Sequence, residues 1–243
     1  ALAGILDDHP AWRDSLQAAA RAAGAPVLTG VVQRFPPGAD GRITLYNAAV
    51  LTDSAGRLGG HPDYRKRALV PVTERIPLVD PAWFSGAQPP PLRGFSVGTM
   101  HEPLVLDIGR VGALICFESA FPELARDYRA QGADLIVNLT NDAVLGAGRG
   151  PAQHLAHLAV RAVEARVAVI QAANSGISAY ADPRGVLLDP TPRDTALVRA
   201  YDVSATSAAS LYVAVGDWLG LTSALGAALL AMAGLRARRR AHG

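Results

Sequence analysis

The segment Val111-Gly-Ala-Leu-Ile-Cys-Phe-Glu-Ser-Ala-Phe-Pro-Glu123 holds the only cysteine of the chain, Cys116. Val111 to Ile115 are all apolar or small, which predicts a buried strand that ends just before this cysteine. Ser119 to Glu123 predict the start of a helix, and a helix N-terminus favours a thiolate nearby. A cysteine between a buried strand and a helix start lies on a sharp turn, and this environment is typical of a nucleophile. The alternative is a small buried hydrophobe, which is how most lone cysteines act.

Composition narrows the class of protein. With 243 residues, the chain can form one large domain or two small ones, and a 50% hydrophobic content excludes a disordered protein. The net charge is +2 and the densest basic cluster is Arg236–Arg240, at the C-terminal end of the sequence, so we predict no nucleic-acid-binding surface. One cysteine excludes an internal disulfide and cannot build a zinc site by itself.

The order of predicted elements indicates a layered α/β fold. An amphipathic helix is predicted over Pro10–Ala23, and the proline-rich stretch Tyr64–Gln88 predicts a long surface excursion of the kind that is often functional. The other predicted helices cover Ser119–Ala130 and Pro151–Arg166. The predicted strands cover Pro26–Val32, Ile43–Thr52, Val105–Ile108, Val111–Ile115, Asp134–Asn138, Val167–Gln171, Ile177–Ala181 and Ala196–Tyr201.

The C-terminal segment Leu219–Leu235 carries no charged residue over its whole length. Its length is at the lower edge of a membrane span, for which about 20 residues are usual. Trp218 before it and the arginines after it are typical of an interfacial anchor and a cytoplasmic flank. A buried core helix is the alternative, but such a helix is seldom apolar on all sides. We predict a transmembrane helix over residues 216–236 and a basic cytoplasmic tail over residues 237–243.

Several motifs follow one another along the chain in a set order. They are Tyr64-Arg-Lys-Arg-Ala-Leu-Val-Pro-Val-Thr-Glu-Arg-Ile-Pro77, Leu114-Ile-Cys-Phe-Glu118, Val137-Asn-Leu-Thr-Asn-Asp-Ala143, Gly150-Pro-Ala-Gln-His154 and Arg161-Ala-Val-Glu164. In this order and spacing they resemble the nitrilase, or carbon–nitrogen hydrolase, superfamily, and within it the C-terminal part of the apolipoprotein N-acyltransferase family. The resemblance covers nearly the whole chain and implies a nitrilase-like αββα sandwich over residues 1–215.

Carried over to this sequence, the resemblance implies a site built around a Glu–Lys–Cys triad. It makes Cys116 the nucleophile, Lys66 the triad lysine, and Glu74 the glutamate that supports the lysine. Glu118 matches a further glutamate of the site, and Lys66 together with the backbone N–H of Phe117 would hold the oxyanion of a tetrahedral intermediate. The chemistry agrees, because a thiolate needs a cation beside it and Lys66 is the only lysine of the chain.

Each of these assignments has a simpler alternative. Lys66 could be a solvated surface lysine, and Glu74 could be a loop carboxylate paired with Arg75 or Arg67. Glu118 could be a carboxylate that faces the dipole of the predicted helix N-terminus.

The general base is the part of the family pattern that this sequence does not match. In the family a glutamate before the first helix has this role, whereas the first glutamate here is Glu74. We expect the base to lie upstream of Ala1, with Asp7 or Asp8 as the alternative. His154 and His157 lie three residues apart on a predicted helix without an evident third ligand, so we predict no metal site and no cofactor.

The resemblance implies an acyltransferase of the bacterial inner membrane with a periplasmic catalytic domain. Cys116 would take an acyl chain from a phospholipid as a thioester. The N-terminal amine of the diacylglyceryl-cysteine of an apolipoprotein would then accept it. The expected partners are therefore the phospholipid donor, the apolipoprotein acceptor and the membrane. The alternatives are a nitrilase-family amidase that hydrolyses a small amide, and an inactive membrane-tethered module.

Overall fold

Two β-sheets form the centre of the computed structural model, which describes residues 4–37, 43–75, 94–206 and 208–241. The helices are α1 (Pro10–Ala23), α2 (Pro122–Ala130), α3 (Gly150–Ala165), α4 (Leu211–Val215) and α5 (Trp218–Ala241). The first sheet is antiparallel and contains β1 (Val27–Phe35), β2 (Thr44–Thr52) and β3 (Tyr64–Arg65). The second contains, in spatial order, β4 (Leu104–Leu106), β5 (Gly109–Ile115), β6 (Leu135–Thr140), β7 (Ala168–Ala173), β8 (Ala179–Ala181) and β9 (Leu187–Leu188).

The antiparallel sheet lies between α1 and the larger sheet. Because side chains alternate along a strand, β2 sends Ala48 and Val50 to one face and Ala49 to the other. Ala48 and Val50 pack in a cluster with Trp12 and Leu16 of α1, whereas Ala49 joins the main core. The helix predicted over Pro10–Ala23 is confirmed, with both of its ends.

The larger sheet is covered on its other face by α2 and α3. Gly112 of β5 lies against Tyr128 of α2, where a Cβ atom would come within 2.7 Å of the ring. Ala113 therefore points away from α2, toward the antiparallel sheet. The main core continues through the larger sheet to α3, where it includes Leu158. The resulting order of layers, helix–sheet–sheet–helix, confirms the predicted αββα sandwich.

Three central strands of the larger sheet are parallel. β5 pairs with β6, and β6 with β7, so that Ile115 lies opposite Leu139. Parallel neighbours end at the same edge of a sheet. Cys116, which follows β5, is therefore brought next to the residues that end β6.

Two sequence predictions in this region are corrected. The helix predicted over Ser119–Ala130 begins at Pro122, three residues later than predicted, because Cys116–Ala120 form a short 3₁₀ turn. Residues 196–201 form no strand; Tyr201 instead packs against Tyr180 and its hydroxyl donates to the Asp189 carbonyl at 3.1 Å. Of the predicted excursion over Tyr64–Gln88, the part after residue 75 lies outside the described residues.

The C-terminal helix α5 forms where the sequence predicts a helix. Its leucines make little contact with the rest of the described chain; Leu221 is 74% exposed and Leu230 is 77% exposed. The predicted membrane span is not confirmed. Among the described residues, no helix combines the length and the hydropathy needed to cross a membrane.

Candidate active site

Cys116 has an unusual backbone conformation at the end of β5. Its φ angle is 54°, in the left-handed region that residues with a side chain seldom adopt. Such a conformation costs about 1–3 kcal/mol and persists only where the surroundings enforce it. Strain of this kind clusters at functional sites, and here it falls on the residue that the sequence predicts to be the nucleophile.

The surroundings of Cys116 act on its thiol in opposite directions. Burial raises the pKa of the thiol and is the dominant effect. The charge of Lys66, the hydroxyl of Thr140 and the N–H of Phe117 lower the pKa, but they do not cancel the effect of burial. The sequence predicted a thiolate favoured by a helix N-terminus, and this was wrong because α2 begins six residues later. The resting sulfur is a thiol, which must lose its proton to react.

Lys66 and Glu74 form a buried ion pair. The Lys66 side chain is only 1% exposed, and its Nζ lies 2.9 and 2.8 Å from the two carboxylate oxygens of Glu74. Asn47 donates to Glu74 Oε1 at 3.0 Å and the Val70 N–H donates to Oε2 at 2.7 Å, which holds the carboxylate in place. A solvated surface lysine is therefore excluded. The partner of Glu74 is Lys66, and not Arg75 or Arg67.

Glu118 is fully buried and accepts hydrogen bonds from three directions. The hydroxyl of Tyr64 lies 2.8 Å from both carboxylate oxygens. Oε1 also accepts from the N–H groups of Arg67 and Ala68, at 2.6 and 3.0 Å, and Oε2 accepts from the Ile115 N–H at 2.8 Å. Glu118 therefore ties the segment that follows Lys66 to the strand that carries Cys116.

Glu118 is not the carboxylate facing a helix N-terminus that was the alternative, because its hydrogen bonds come from Tyr64, Arg67, Ala68 and Ile115 and not from N–H groups of α2. Burial raises the pKa of its carboxyl group, and the N–H donors and Tyr64 oppose that rise. The structure thus brings together Cys116, Lys66, Glu74 and Glu118, with the Phe117 N–H beside the sulfur.

Comparison with known proteins is consistent with this geometry. Residues 11–211 match the family described as "Carbon-nitrogen hydrolase". The chain belongs to the carbon–nitrogen hydrolase family. Its fold is similar to a carbon-nitrogen hydrolase from Helicobacter pylori G27, with a TM-score of 0.58 and 16% identity over 77% of this chain and 65% of that one. It is also similar to the C. elegans NitFhit protein, with a TM-score of 0.54 and 23% identity over 74% of this chain and 43% of that one.

Two relatives carry a more specific name. The chain is 35% identical over 83% of its length to the apolipoprotein N-acyltransferase of Geobacter metallireducens, of which it covers 38%. It is 37% identical over 76% of its length to the apolipoprotein N-acyltransferase of Sinorhizobium medicae, of which it covers 35%. The chain therefore spans a little over a third of the length of these relatives.

The first test of this carbon–nitrogen hydrolase site concerns Glu118. We expect Glu118→Gln to lower the free energy of unfolding by about 3 kcal/mol, because the new amide NH₂ must face N–H groups that lose their acceptor. Urea unfolding followed by circular dichroism measures the change. Glu123→Gln is the matched control, because Glu123 is exposed on the first turn of α2. Equal stability of the two variants would contradict this account of Glu118.

The sequence assigned no role to a second network beside the nucleophile. His154 Nδ1 lies 2.9 Å from Asp142 Oδ1, and His154 Nε2 lies 2.9 Å from the carbonyl oxygen of Cys116. Thr140 donates to the same Asp142 oxygen at 2.6 Å. The signal was available, because Thr140 ends β6 and Asp142 follows it, at the edge where Cys116 follows the parallel strand β5.

This network differs from a metal site. Ligand-type atoms of Cys116, Asp142 and His154 lie within 4.8 Å of one another. Both ring nitrogens of His154 are already engaged, one by Asp142 and one by the Cys116 carbonyl. The three residues form a hydrogen-bonded network and not a set of metal ligands. His154 and His157, for which the sequence offered no third ligand, meet edge to face with ring centroids 6.0 Å apart.

The alternative general bases are not part of this site. Asp7 lies 3.2 Å from Arg13, and Asp8 pairs with Arg34. Each member of these two ion pairs is more than a third exposed. Asp7 and Asp8 therefore form surface ion pairs.

Proposed function

We propose that the chain moves an acyl chain from a phospholipid, through a thioester on Cys116, to the N-terminal amine of the diacylglyceryl-cysteine of an apolipoprotein. One observation carries the proposal. The Cys116 site is assembled in a chain that is 35% identical, over 83% of its length, to a protein named apolipoprotein N-acyltransferase. The site supplies the nucleophile and the two oxyanion donors of such a transfer.

The first half of the reaction forms the thioester. The Cys116 thiol gives its proton to a general base, and the sulfur attacks the ester carbonyl carbon of the phospholipid. The carbonyl oxygen becomes an oxyanion, which the Phe117 N–H and the Lys66 ammonium stabilise. The bond from carbon to the glycerol oxygen breaks, and that oxygen takes the proton and leaves as a lysophospholipid.

The second half of the reaction transfers the acyl chain from Cys116 to the amine nitrogen of the apolipoprotein. The amine of the apolipoprotein attacks the thioester carbon, and the same two donors hold the second oxyanion. The carbon–sulfur bond breaks, the amine loses a proton, and the sulfur regains one. Glu74 keeps Lys66 in position through both halves, because its carboxylate contacts Nζ with both oxygens.

Location follows from the substrates. Both are lipids held in a bilayer, so we place the activity at the bacterial inner membrane with the site on the periplasmic side. The exposed leucines of α5 support contact with an apolar environment, since leucines that meet water on all sides are unfavourable. The boundaries of residues 216–236 and 237–243 as separate membrane and cytoplasmic parts stay a prediction.

The test supplies both substrates in vesicles. The chain is incubated with vesicles of phosphatidylethanolamine and a synthetic diacylglyceryl-cysteine peptide, and the products are separated by mass spectrometry. We expect lysophospholipid and N-acylated peptide to appear in equal amounts when the chain is extended upstream to carry the family's base glutamate, and little product from the 243 residues alone, because general acid–base help is worth about a hundredfold to ten-thousandfold. A parallel incubation with butyramide measures amide hydrolysis. Amide hydrolysis without acyl transfer would show that the protein is an amidase and not an acyltransferase. The absence of both reactions in the extended chain would indicate the inactive membrane-tethered module.

A further inference from the structure

The Asp142–His154 pair lies against the main chain of the nucleophile and has no part in the reaction described above. We propose that Asp142 holds His154 as a doubly protonated imidazolium, and that this cation positions and polarises the Cys116–Phe117 peptide for binding an oxyanion. The inference rests on the proposed function only in taking Cys116 as the nucleophile. His154 is thus a positioning residue, because it acts through the peptide.

The partners of the ring fix its protonation. A neutral imidazole has one N–H donor and one acceptor nitrogen. Here both nitrogens face groups that can only accept, the Asp142 carboxylate at 2.9 Å and the Cys116 carbonyl at 2.9 Å. Both contacts are hydrogen bonds only if both nitrogens carry a proton. With Asp142 ionised, the geometry therefore points to the imidazolium.

Asp142 is arranged to keep that proton on the ring. It is 2% exposed, and within the described part of the chain its Oδ2 has no hydrogen-bond partner. Gly176 lies against it, and a Cβ atom there would come within 2.5 Å of Oδ2. A buried anion with few donors gains from a cation next to it, since an unpaired buried charge is costly. The imidazolium, which donates to Oδ1, supplies that neighbouring positive charge.

Charged groups around His154 oppose one another. Burial lowers the pKa of the ring, and Lys66 lowers it too, whereas Asp142 and the Cys116 carbonyl raise it and prevail. His157 lies one turn along the same helix, and its own pKa is lowered by burial and by the charge of His154. The Cys116 thiol, whose pKa burial raises, is a further titratable group beside the ring.

The proposed effect of His154 on the oxyanion donor follows from the planarity of the peptide bond between Cys116 and Phe117. The carbonyl of Cys116 and the N–H of Phe117 belong to one peptide unit and point in opposite directions from it. A hydrogen bond to the carbonyl therefore fixes the direction of the N–H. It also makes the N–H a stronger donor, because hydrogen bonds at the two ends of a peptide reinforce each other. His154 thus acts on the oxyanion without touching it.

The same bond explains how Cys116 holds its strained conformation. The φ angle of 54° must be enforced by contacts, and a charge-assisted bond to the carbonyl of that residue is one of the stronger contacts available. The pKa of His154 is raised on folding, so the protonated ring stabilises the folded state. This stabilisation is complete at a pH below the unfolded pKa of about 6.5 and is lost as the pH rises through the folded pKa.

The first experiment needs no substitution. Long-range ¹H–¹⁵N spectra of the uniformly ¹⁵N-labelled chain report the protonation of both nitrogens of each histidine ring. At pH 7 we expect His154 to show two protonated nitrogens and His157 to show a neutral ring. In Asp142→Asn, we expect the ring of His154 to lose its proton at a lower pH. A neutral His154 at pH 7 in the unsubstituted chain would overturn the inference.

The second experiment separates the oxyanion from the thiol. Alkylation of Cys116 by iodoacetamide forms no oxyanion, whereas acylation by p-nitrophenyl acetate does. We expect His154→Phe to slow acylation by about tenfold more than alkylation, because a weakened oxyanion donor affects only acylation. His157→Phe is the matched control, with the same change three residues along α3, and should slow neither reaction. An equal loss in both reactions, or no loss, would refute the positioning role.

These measurements do not depend on lipid substrates. If acyl transfer to the peptide fails while the imidazolium and the split between the two reactions are found, the proposed function is wrong and this inference stands. If acyl transfer succeeds with a neutral His154, only the inference fails. Should His154→Phe fail to fold, the spectra of the unsubstituted chain decide.

Discussion

Alanine in place of Cys116 is expected to abolish the acyl-enzyme and to lower acyl transfer by about a thousandfold or more, the scale of loss when a covalent nucleophile is removed. Cys116 is the only cysteine of the protein chain, so no other thiol can hold the acyl group in its place. Intact-mass spectrometry after incubation with phospholipid vesicles reads the result directly. The chain extended upstream to carry the base glutamate should gain the mass of one acyl group, and the same extended chain with Cys116→Ala should gain none.

Cys116→Ser is the matched control for this substitution. Serine keeps the size and shape of the side chain at the strained position, but its hydroxyl is a much weaker acid than a thiol and should not form the ester. A hydroxylamine wash removes a thioester and leaves an amide, which distinguishes attachment at Cys116 from acylation of an amine. An acyl group that persists in Cys116→Ala would show that the nucleophile is another residue.

Hydrophobic patterning predicted most of the framework of this fold. The apolar runs at Val111–Ile115 and Ala48–Leu51 indicate strands that are buried on both faces, and both segments are buried in the structure. Residues 196–201 show the limit of this reasoning. Their pattern suits a strand, but a strand also needs a neighbour, and a single sequence does not say whether the sheet has a free edge there.

The candidate site was predictable where chemistry restricts the residue type. Lys66 stands out because it is the only lysine, and its motif is one of an ordered set. The network of Asp142 and His154 was missed because its key contact is to a backbone carbonyl, which no side-chain motif reports. The direction of the thiol pKa was also missed, because it depends on burial outweighing a nearby charge.

The second large effect is expected at Lys66. Lys66→Met should reduce acyl transfer by about a hundredfold to a thousandfold, because the oxyanion loses one of its two donors. The thiol also loses the charge that most strongly lowers its pKa, so alkylation by iodoacetamide at pH 7 should slow as well. The same change should destabilise the fold by about 3–5 kcal/mol, since Glu74 is left as a buried charge without its partner.

A double substitution separates these two losses. In Lys66→Met with Glu74→Gln, neither charge remains, and the new amide oxygen can still accept from the Asn47 side chain or the Val70 N–H. Replacing both members of a buried ion pair is often neutral for stability, whereas removing one is not. We therefore expect urea unfolding to show the double variant to be more stable than Lys66→Met alone. Acyl transfer should stay as low as in the single variant, because stability does not restore the missing donor. Recovery of acyl transfer together with stability would mean that Lys66 serves the fold and not the reaction.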